Sequence, residues 1–240
     1  MTSEAVQYDL QDGVATIRID DGKRNALSPD VLDGIRRAFD QAKNDKAIVI
    51  LTGRESVFSA GFDLNVMKRG GTNTLRMLRR GYSLTARVMA HPYPVVAACN
   101  GHSLAMGVFL MLSTDYVIGS RGDFKIAANE VAIGMPMPRV AAAVLQNRLA
   151  PSAYQRAVVL AEYFDPVTAA DAGFFDELVE VENLAPVAES RAAEYKKLDE
   201  HAHKVSKRKI RAKLMRRIRR SIPLDLVDAA LLGMRRSRKK

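Results

Sequence analysis

Two loops, each reached from a short apolar run, most constrain what this chain can fold into. The run at residues 47–52 (AIVILT) leads to the loop 58–63 (FSAGFD), and the run at 94–99 (PVVAAC) leads into the loop 100–107 (NGHSLAMG). Short apolar runs bounded by glycine and polar residues are typical of buried strands. Glycine lets the backbone N–H groups of each loop turn outward, and the second loop opens a helix whose first N–H groups lack partners inside it. Two such N–H groups that converge stabilise an oxyanion.

Strand and helix signals alternate around the first loop, which indicates an α/β fold. Residues 14–19 alternate as a strand, and Ser28-Pro29 is an N-cap followed by proline at the first helical position. We expect that helix to end near residue 44, and the strand at 47–52 then completes a right-handed crossover. Further helices are expected at 73–91, 138–149, 151–161 and 166–173.

The motifs, taken in order, resemble the enoyl-CoA hydratase/isomerase, or crotonase, superfamily. They are an A-G-x-D loop at 60–63, an N-G-x-x-x-x-x-G turn at 100–107 followed by Asp115, and an Asn-Glu pair at 129–130. Segments 23–27 and 169–173 match as well.

The resemblance covers most of residues 5–185 and implies an α/β fold, the crotonase-like spiral of β-β-α units. That spiral core is expected over residues 1–190. A basic, helical trimerisation region is expected over residues 191–240.

The same resemblance assigns site residues by position. The oxyanion donors fall on the backbone N–H groups of Phe62 and Met106, and the catalytic glutamate is Glu130. Asp63 is also expected to cap the following helix, and Asn129 either orients the Glu130 carboxylate or contacts the thioester. The implied substrate-binding residues are Arg24, Ala26, Ala60, Gly61, Asp63, Leu64, Gly107 and Asn129.

One departure from the hydratase pattern points to the reaction. Hydratases of the superfamily place a first catalytic glutamate two residues after the glycine that matches Gly107, where this chain has Phe109. A phenyl ring cannot deprotonate water. An aliphatic residue there with a later Asn-Glu pair is the pattern of the Δ3,Δ2-enoyl-CoA isomerases, which this chain resembles more than the hydratases. The resemblance therefore implies isomerisation in fatty-acid oxidation, with one general base and an oxyanion hole.

Two other interpretations stay open. One is a hydratase-named member with weak or different activity, and the other is a CoA-thioester-binding protein without catalysis. Many members have smaller residues where Phe62 and Met106 stand, so these side chains either narrow the acyl pocket or disturb the oxyanion hole. No cofactor is implied, because CoA is part of the substrate, and no metal-ligand spacing is present. The superfamily assembles as homotrimers or hexamers.

Composition supports a single substantial core. The chain has 240 residues, of which 48% are hydrophobic, and it contains neither an apolar run of about 18 residues nor the layout of a signal peptide. We therefore expect a cytoplasmic protein. Cys99 is the only cysteine, and its apolar surroundings predict an inert core thiol.

Positive charge is concentrated in the C-terminal region. From Arg191 onward there are 18 Lys and Arg against 5 Asp and Glu. The resemblance implies that Arg24 and one or more cations of residues 207–220 hold the CoA phosphates, while an anionic membrane or a nucleic acid is an alternative partner. Apolar residues at four-residue steps predict an amphipathic helix whose stripe needs a neighbouring subunit: Leu214, Ile218, Ile222, Leu226 and Ala230.

Overall fold

The structure is a computed structural model that describes residues 5–237, with side chains as far as Met234. It confirms the α/β class. The strands within this range are β1 (Val6–Gln11), β2 (Val14–Ile19), β3 (Ile48–Thr52), β4 (Ser56–Ser59), β5 (Val95–Cys99), β6 (Gly101–Leu104), β7 (Tyr116–Ser120), β8 (Ile126–Ala127) and β9 (Glu177–Val179). The helices are α1 (Pro29–Asn44), α2 (Leu64–Arg69), α3 (Gly71–Met89), α4 (Met106–Met111), α5 (Arg139–Arg148), α6 (Pro151–Val159), α7 (Pro166–Ala172), α8 (Leu184–Tyr195) and α9 (Glu200–Ser237).

The main sheet has six strands in the order β1-β2-β3-β5-β7-β9. Only the hairpin of β1 and β2 is antiparallel, and every later pair is parallel. All residues of β3 and β5 are buried, as expected of parallel strands covered on both faces. One face packs against α1, and the other carries a smaller core in which Ile50 and Val96 meet Leu184 and Ala188 of α8.

A second sheet, β4-β6-β8, is wholly parallel and was not predicted from the sequence. Its strands are four, four and two residues long, too short to show a period of two. This small sheet positions the two loops: β4 ends at Ser59, directly before the loop 60–63, and β6 ends at Leu104, one residue short of the start of α4.

The apolar stripe of α9 packs on its own subunit, against α3 and α5. Ile218 is fully buried, and Leu214, Ile222 and Leu226 are partly buried against the main core. The expectation that this stripe needs a neighbouring subunit is therefore wrong, because the same chain covers it.

The expected division of the chain into a spiral core and a basic region falls within one helix. The expected boundary between residues 190 and 191 lies inside α8, whose small residues pack on the main sheet. Across residues 5–237, no helix has the length and hydropathy that crossing a bilayer requires.

Candidate active site

The two oxyanion loops touch each other at the end of the small sheet. Gly61 has φ +85°, a conformation that favours glycine. A Cβ added there would lie 2.9 Å from the carbonyl oxygen of Leu104 and 3.3 Å from the backbone nitrogen of Met106. Gly61 therefore lets the first loop approach the start of α4, as the motif predicts.

The N–H groups of Phe62 and Met106 have no hydrogen-bond acceptor within the described chain. The residues that precede them do form backbone hydrogen bonds. The carbonyl of Gly61 accepts the N–H of Leu27 at 2.8 Å, and the N–H of Ala105 donates to the carbonyl of Ala127 at 2.8 Å. Met106 is the first residue of α4, so its N–H lacks an intrahelical partner. Both proposed donors are thus available to a ligand.

Two buried polar side chains hold the first loop in place. The Asn25 amide donates to the carbonyl oxygens of Ile19 at 2.7 Å and of Val57 and Phe58 at 3.2 Å. The Ser59 hydroxyl donates to the carbonyl of Asn25 at 2.8 Å and accepts the N–H of Gly61 at 3.1 Å.

The sequence analysis missed the role of both Asn25 and Ser59. Asn and Ser commonly bond to backbone groups at turns; Asn25 stands in the matched segment 23–27, and Ser59 stands in the loop 58–63. That was the one signal for them.

Glu130 lies three residues after β8 and directly before a 3₁₀ turn at Val131–Ile133. It is only 5% exposed, and its Oε2 atom has no hydrogen-bond partner in the described structure. Burial raises the pKa of this carboxyl to about 7. An acid with that pKa accepts and returns a proton readily near neutral pH.

Asn129 does not bond to the Glu130 carboxyl. Its amide nitrogen donates to the hydroxyl of Tyr163 at 3.2 Å, and its Oδ1 atom is buried without a partner in the part of the chain described. Of the two roles expected for Asn129, contact with the thioester stays a prediction.

Phe109 and Gly107 are both inside the core. Phe109 is fully buried on α4, so an apolar ring stands at the position of the hydratases' first glutamate. A Cβ added at Gly107 would lie 2.6 Å from the carbonyl oxygen of Ser59. Gly107 thus allows α4 to pack closely on β4.

The other expected substrate-binding residues border the first loop. The N–H of Ala60 donates to the carbonyl of Arg24 at 3.0 Å, and the Ala26 N–H donates to the Asp21 carboxylate at 2.9 Å. Asp63 caps α2, accepting the N–H of Asn65 at 2.7 Å, as the sequence predicted. Leu64 follows as an exposed first residue of α2.

Two cations of the segment 207–220 are structural. The ammonium of Lys207 is buried 2.6 Å from the Asp115 carboxylate, and Arg211 lies 2.9 Å from the same group. Arg211 also donates to the carbonyl of Met89 at 2.9 Å. Burial lowers the pKa of Lys207 to about 8, against the opposing effect of Asp115.

Lys207 and Arg211 are therefore not free to hold the CoA phosphates, because the half-buried Asp115 carboxylate pairs with both, and a role for the other cations of residues 207–220 stays a prediction. The basic cluster at residues 235–240 lies outside the side chains that the structure describes. Within residues 5–234, no group of three or more His, Cys, Asp or Glu side chains is arranged to hold a metal ion.

Comparison with known proteins shows the family of this chain. The model of the enoyl-CoA hydratase/isomerase family matches residues 9–228. An enoyl-CoA hydratase/isomerase family protein from Pseudomonas syringae is 43% identical, with a TM-score of 0.92 over 94% of this chain and 98% of that one. A probable enoyl-CoA hydratase from Mycobacterium avium is 30% identical over 79% of this chain and 75% of its own length.

The human mitochondrial enoyl-CoA delta isomerase 1 is also similar. It is 27% identical over 211 residues, which are 86% of this chain and 70% of the human sequence. The structure of human mitochondrial delta3-delta2-enoyl-CoA isomerase superposes with a TM-score of 0.92 over 98% of this chain and 93% of the human one. The family model matches most of the chain, and the Pseudomonas syringae family protein is 43% identical over nearly all of it, so the chain belongs to the enoyl-CoA hydratase/isomerase family.

Proposed function

We propose that this protein is an acyl-CoA enzyme that moves a double bond from C3 to C2 of an enoyl-CoA thioester. The observation that carries the proposal is one buried carboxyl, Glu130, with a pKa of about 7, combined with the buried ring of Phe109 where a hydratase has its other glutamate. Relatives carry both isomerase and hydratase names. This pairing of side chains favours the isomerase.

One base is sufficient for this reaction. Ionised Glu130 removes a proton from C2, and the electron pair moves into the thioester to form a dienolate. The dienolate oxygen accepts hydrogen bonds from the N–H groups of Phe62 and Met106. The electron pair then returns through the conjugated system, C4 takes the proton from Glu130, and the double bond lies between C2 and C3.

The energetic contributions of these parts are large enough to matter. Loss of one oxyanion donor typically costs about 10²–10³-fold in rate. A general base contributes about 10²–10⁴-fold. The proposal needs no cofactor besides the CoA of the substrate.

The direct test is to assay a 3-enoyl-CoA and a 2-enoyl-CoA side by side. We expect isomerisation of the first and poor hydration of the second. Efficient hydration of the 2-enoyl-CoA would contradict the proposal and favour a hydratase.

The companion variant is Glu130→Gln, which keeps the shape of the side chain and removes the base. We expect turnover to fall by about 10²–10⁴-fold while the affinity for a saturated acyl-CoA, measured by calorimetry, changes little. If the variant turned over substrate as fast as the wild type, Glu130 would not be the general base. A wild type that bound acyl-CoA but converted neither enoyl ester would be a CoA-thioester-binding protein without catalysis.

A further inference from the structure

A cavity of about 760 Å³ lies between α1, α3 and α9. This volume falls within the range of about 300–1,000 Å³ that is usual for small-ligand sites. The floor of the cavity is apolar, because buried Leu32 and Phe39 of α1 and buried Leu84 of α3 line it. The residues expected to hold the thioester or to act on it lie elsewhere and do not line it. The cavity is thus a candidate ligand site separate from the candidate active site.

The side chains around this floor are strongly cationic. Among the described residues, seven Lys and Arg side chains line the cavity, against two acids, Asp33 and Asp40. His91 adds no charge near neutral pH, because burial lowers its pKa to about 4. The lining therefore carries an excess of five positive charges. A cleft lined by one sign of charge focuses the electric field and attracts ions of the opposite sign.

Arginines of the same cavity already pair with both acids. The Asp33 carboxylate lies 3.1 Å from Arg80 of α3 and 3.7 Å from Arg36 of its own helix. The Asp40 carboxylate lies 3.1 Å from Arg36 and also pairs with Arg87 of α3. Arg80 and Arg87 thus connect α3 to α1. The other cations of the lining have no carboxylate of the cavity left to pair with.

Four cations from three helices make up this remainder: Lys43 of α1, Arg76 and Arg79 of α3, and Arg219 of α9. The Arg76 guanidinium donates to the Asn73 amide oxygen at 3.2 Å, while the other three side chains have no hydrogen bond or ion pair with the described residues. Arg76 and Arg79 stand three positions apart on α3, a spacing at which like charges destabilise a helix. Local helix stability therefore does not account for these cations, whereas a bound anion would relieve their repulsion.

We propose that this cavity binds a polyphosphate anion, either inorganic or carried by a nucleoside. Guanidinium groups bind phosphate oxygens through paired, charge-assisted hydrogen bonds. A chain of phosphates carries several negative charges and so matches the excess of the cavity, whereas a monocarboxylate would offset only one positive charge. The proposal is independent of the isomerase function, because the cavity shares no residue with the candidate active site.

The direct test is calorimetry with tripolyphosphate at physiological ionic strength. In the variant Lys43→Gln/Arg79→Gln, which removes one unpaired cation from each of α1 and α3, we expect the Kd to rise at least about tenfold. The matched control is Lys204→Gln/Lys209→Gln. Both of its lysines are exposed on α9 and do not line the cavity, so it loses the same charge and should bind like the wild type. No binding by the wild type, or equal weakening in the two variants, would overturn the proposal.

Titration with ATP distinguishes the two sources of the phosphate chain. If ATP binds more tightly than tripolyphosphate, the base adds contacts with the apolar floor and the ligand is a nucleoside polyphosphate. If ATP binds more weakly, the cavity takes inorganic polyphosphate. In both cases Lys43→Gln/Arg79→Gln must weaken the binding of ATP as well, and ATP binding unchanged by that variant would contradict the assignment to this cavity.

Thermal unfolding checks that the variants are folded. Without ligand, we expect both double variants to unfold at the midpoint of the wild type, because the substituted side chains are exposed. Tripolyphosphate should raise the midpoint of the wild type and of the control, since a ligand that binds the folded state stabilises it. It should raise that of Lys43→Gln/Arg79→Gln much less. Equal increases in all three proteins would place the anion elsewhere and overturn the proposal.

A competition experiment separates this cavity from the site for the CoA phosphates. With the wild type saturated by hexanoyl-CoA, we expect tripolyphosphate to bind as it does to the free protein. Displacement of tripolyphosphate by hexanoyl-CoA would assign these cations to the CoA phosphates and overturn the proposal. A wild type that binds no acyl-CoA would refute the proposed function and leave the comparison of the two double variants unaffected.

Discussion

Glu130 lowers the stability of the fold, because a buried carboxyl without a charged partner is costly to ionise. Its Oε2 atom has no partner among residues 5–234, and burial is the main cause of its raised pKa. The same burial brings the group to the protonation equilibrium that proton transfer at neutral pH requires.

The first prediction concerns rate. If ionised Glu130 is the base, kcat for a 3-enoyl-CoA rises with pH and levels off above about 7, the pKa of the group. A pH profile of kcat from 5 to 9 checks this. A rate that stays flat down to pH 5 would mean that the base has the pKa of an ordinary glutamate.

The second prediction concerns stability. The folded pKa of about 7 lies above the usual 4.5, so both states are protonated below about pH 4.5. Between these values the unfolded chain loses the proton that the folded chain keeps, and stability falls until about pH 7. Glu130→Gln removes this dependence. The free energy of unfolding of the variant minus that of the wild type should therefore be larger at pH 8 than at pH 4, by up to about 3 kcal/mol, so that the variant is relatively more stable at pH 8.

Urea unfolding of both proteins at pH 4 and pH 8 measures that difference. The pH 4 data serve as the control, because there they report only the exchange of a neutral acid for an amide. The same difference at both pH values would place the folded pKa of Glu130 near its usual range.

At the scale of elements, α9 anchors the segment that follows Glu130. The Asp225 carboxylate accepts the N–H groups of Arg139 at 3.0 Å and Val140 at 2.9 Å, and so caps the start of α5 from another helix. Pro138 precedes α5 and supplies no side-chain cap of its own. The segment 131–138 therefore begins directly after Glu130 and ends at the part of α5 that Asp225 of α9 fixes.

We expect Asp225→Ala to lower the free energy of unfolding by about 1–2 kcal/mol, the usual cost of a lost N-cap. Asp228→Ala is the matched control. Asp228 also pairs with Arg139, but its side chain is 58% exposed, so its loss should cost about 0–1 kcal/mol. Denaturant unfolding compares the two. Equal losses of unfolding free energy would show that the buried Asp225 cap stabilises the fold no more than the exposed Asp228 ion pair.

The elements that could be predicted from the sequence are those with a clear period or cap. Ser28-Pro29 opens α1, and the apolar runs became β3 and β5. The small sheet could not be predicted, because its strands gain stability from pairing with each other and not from a local pattern. Lys207 and Arg211 looked like surface cations, since a charge run does not reveal that Asp115, about 90 residues away, pairs with two of its members.

At the scale of the whole molecule, α9 leaves a second apolar face open. Ile210, Leu224, Val227 and Leu231 are exposed, while the stripe on the opposite side packs on the core. We propose that this outer face joins subunits in a homotrimer, alone or paired as a hexamer. The outer face, and not the stripe that packs on the core of the same chain, is the surface available for this contact.

Light scattering tests this face. We expect Val227→Lys/Leu231→Lys to lower the mass of the full-length protein toward that of one chain, because each substitution puts a charge into an apolar contact. Lys209→Ala, at another exposed position of α9, is the control and should leave the mass unchanged. A wild type of 26 kDa, the mass of one chain, would contradict the assembly itself.

The last prediction concerns the positive charge that the structure leaves on the surface. Lys207 and Arg211 are bound to Asp115, but Arg24 is exposed beside the first loop, and Arg216, Arg219 and Arg220 are exposed on α9. CoA carries a pyrophosphate and a 3′-phosphate. Exposed contacts to these groups are screened over roughly 8–10 Å near physiological ionic strength. We therefore expect the affinity for a saturated acyl-CoA to fall as salt rises.

Calorimetry at two salt concentrations, with an acyl-CoA and its dephospho analogue, isolates the 3′-phosphate. The dephospho ester should bind more weakly, and its affinity should depend less on salt, because fewer charges meet the protein. Arg24→Ala tests the exposed cation beside the first loop. If Arg24 contacts the 3′-phosphate, the variant should reduce the salt dependence of the acyl-CoA alone. If it contacts the pyrophosphate, the variant should reduce the salt dependence of both esters. Equal affinities and equal salt dependence for the two esters would assign the charge of α9 to a different partner.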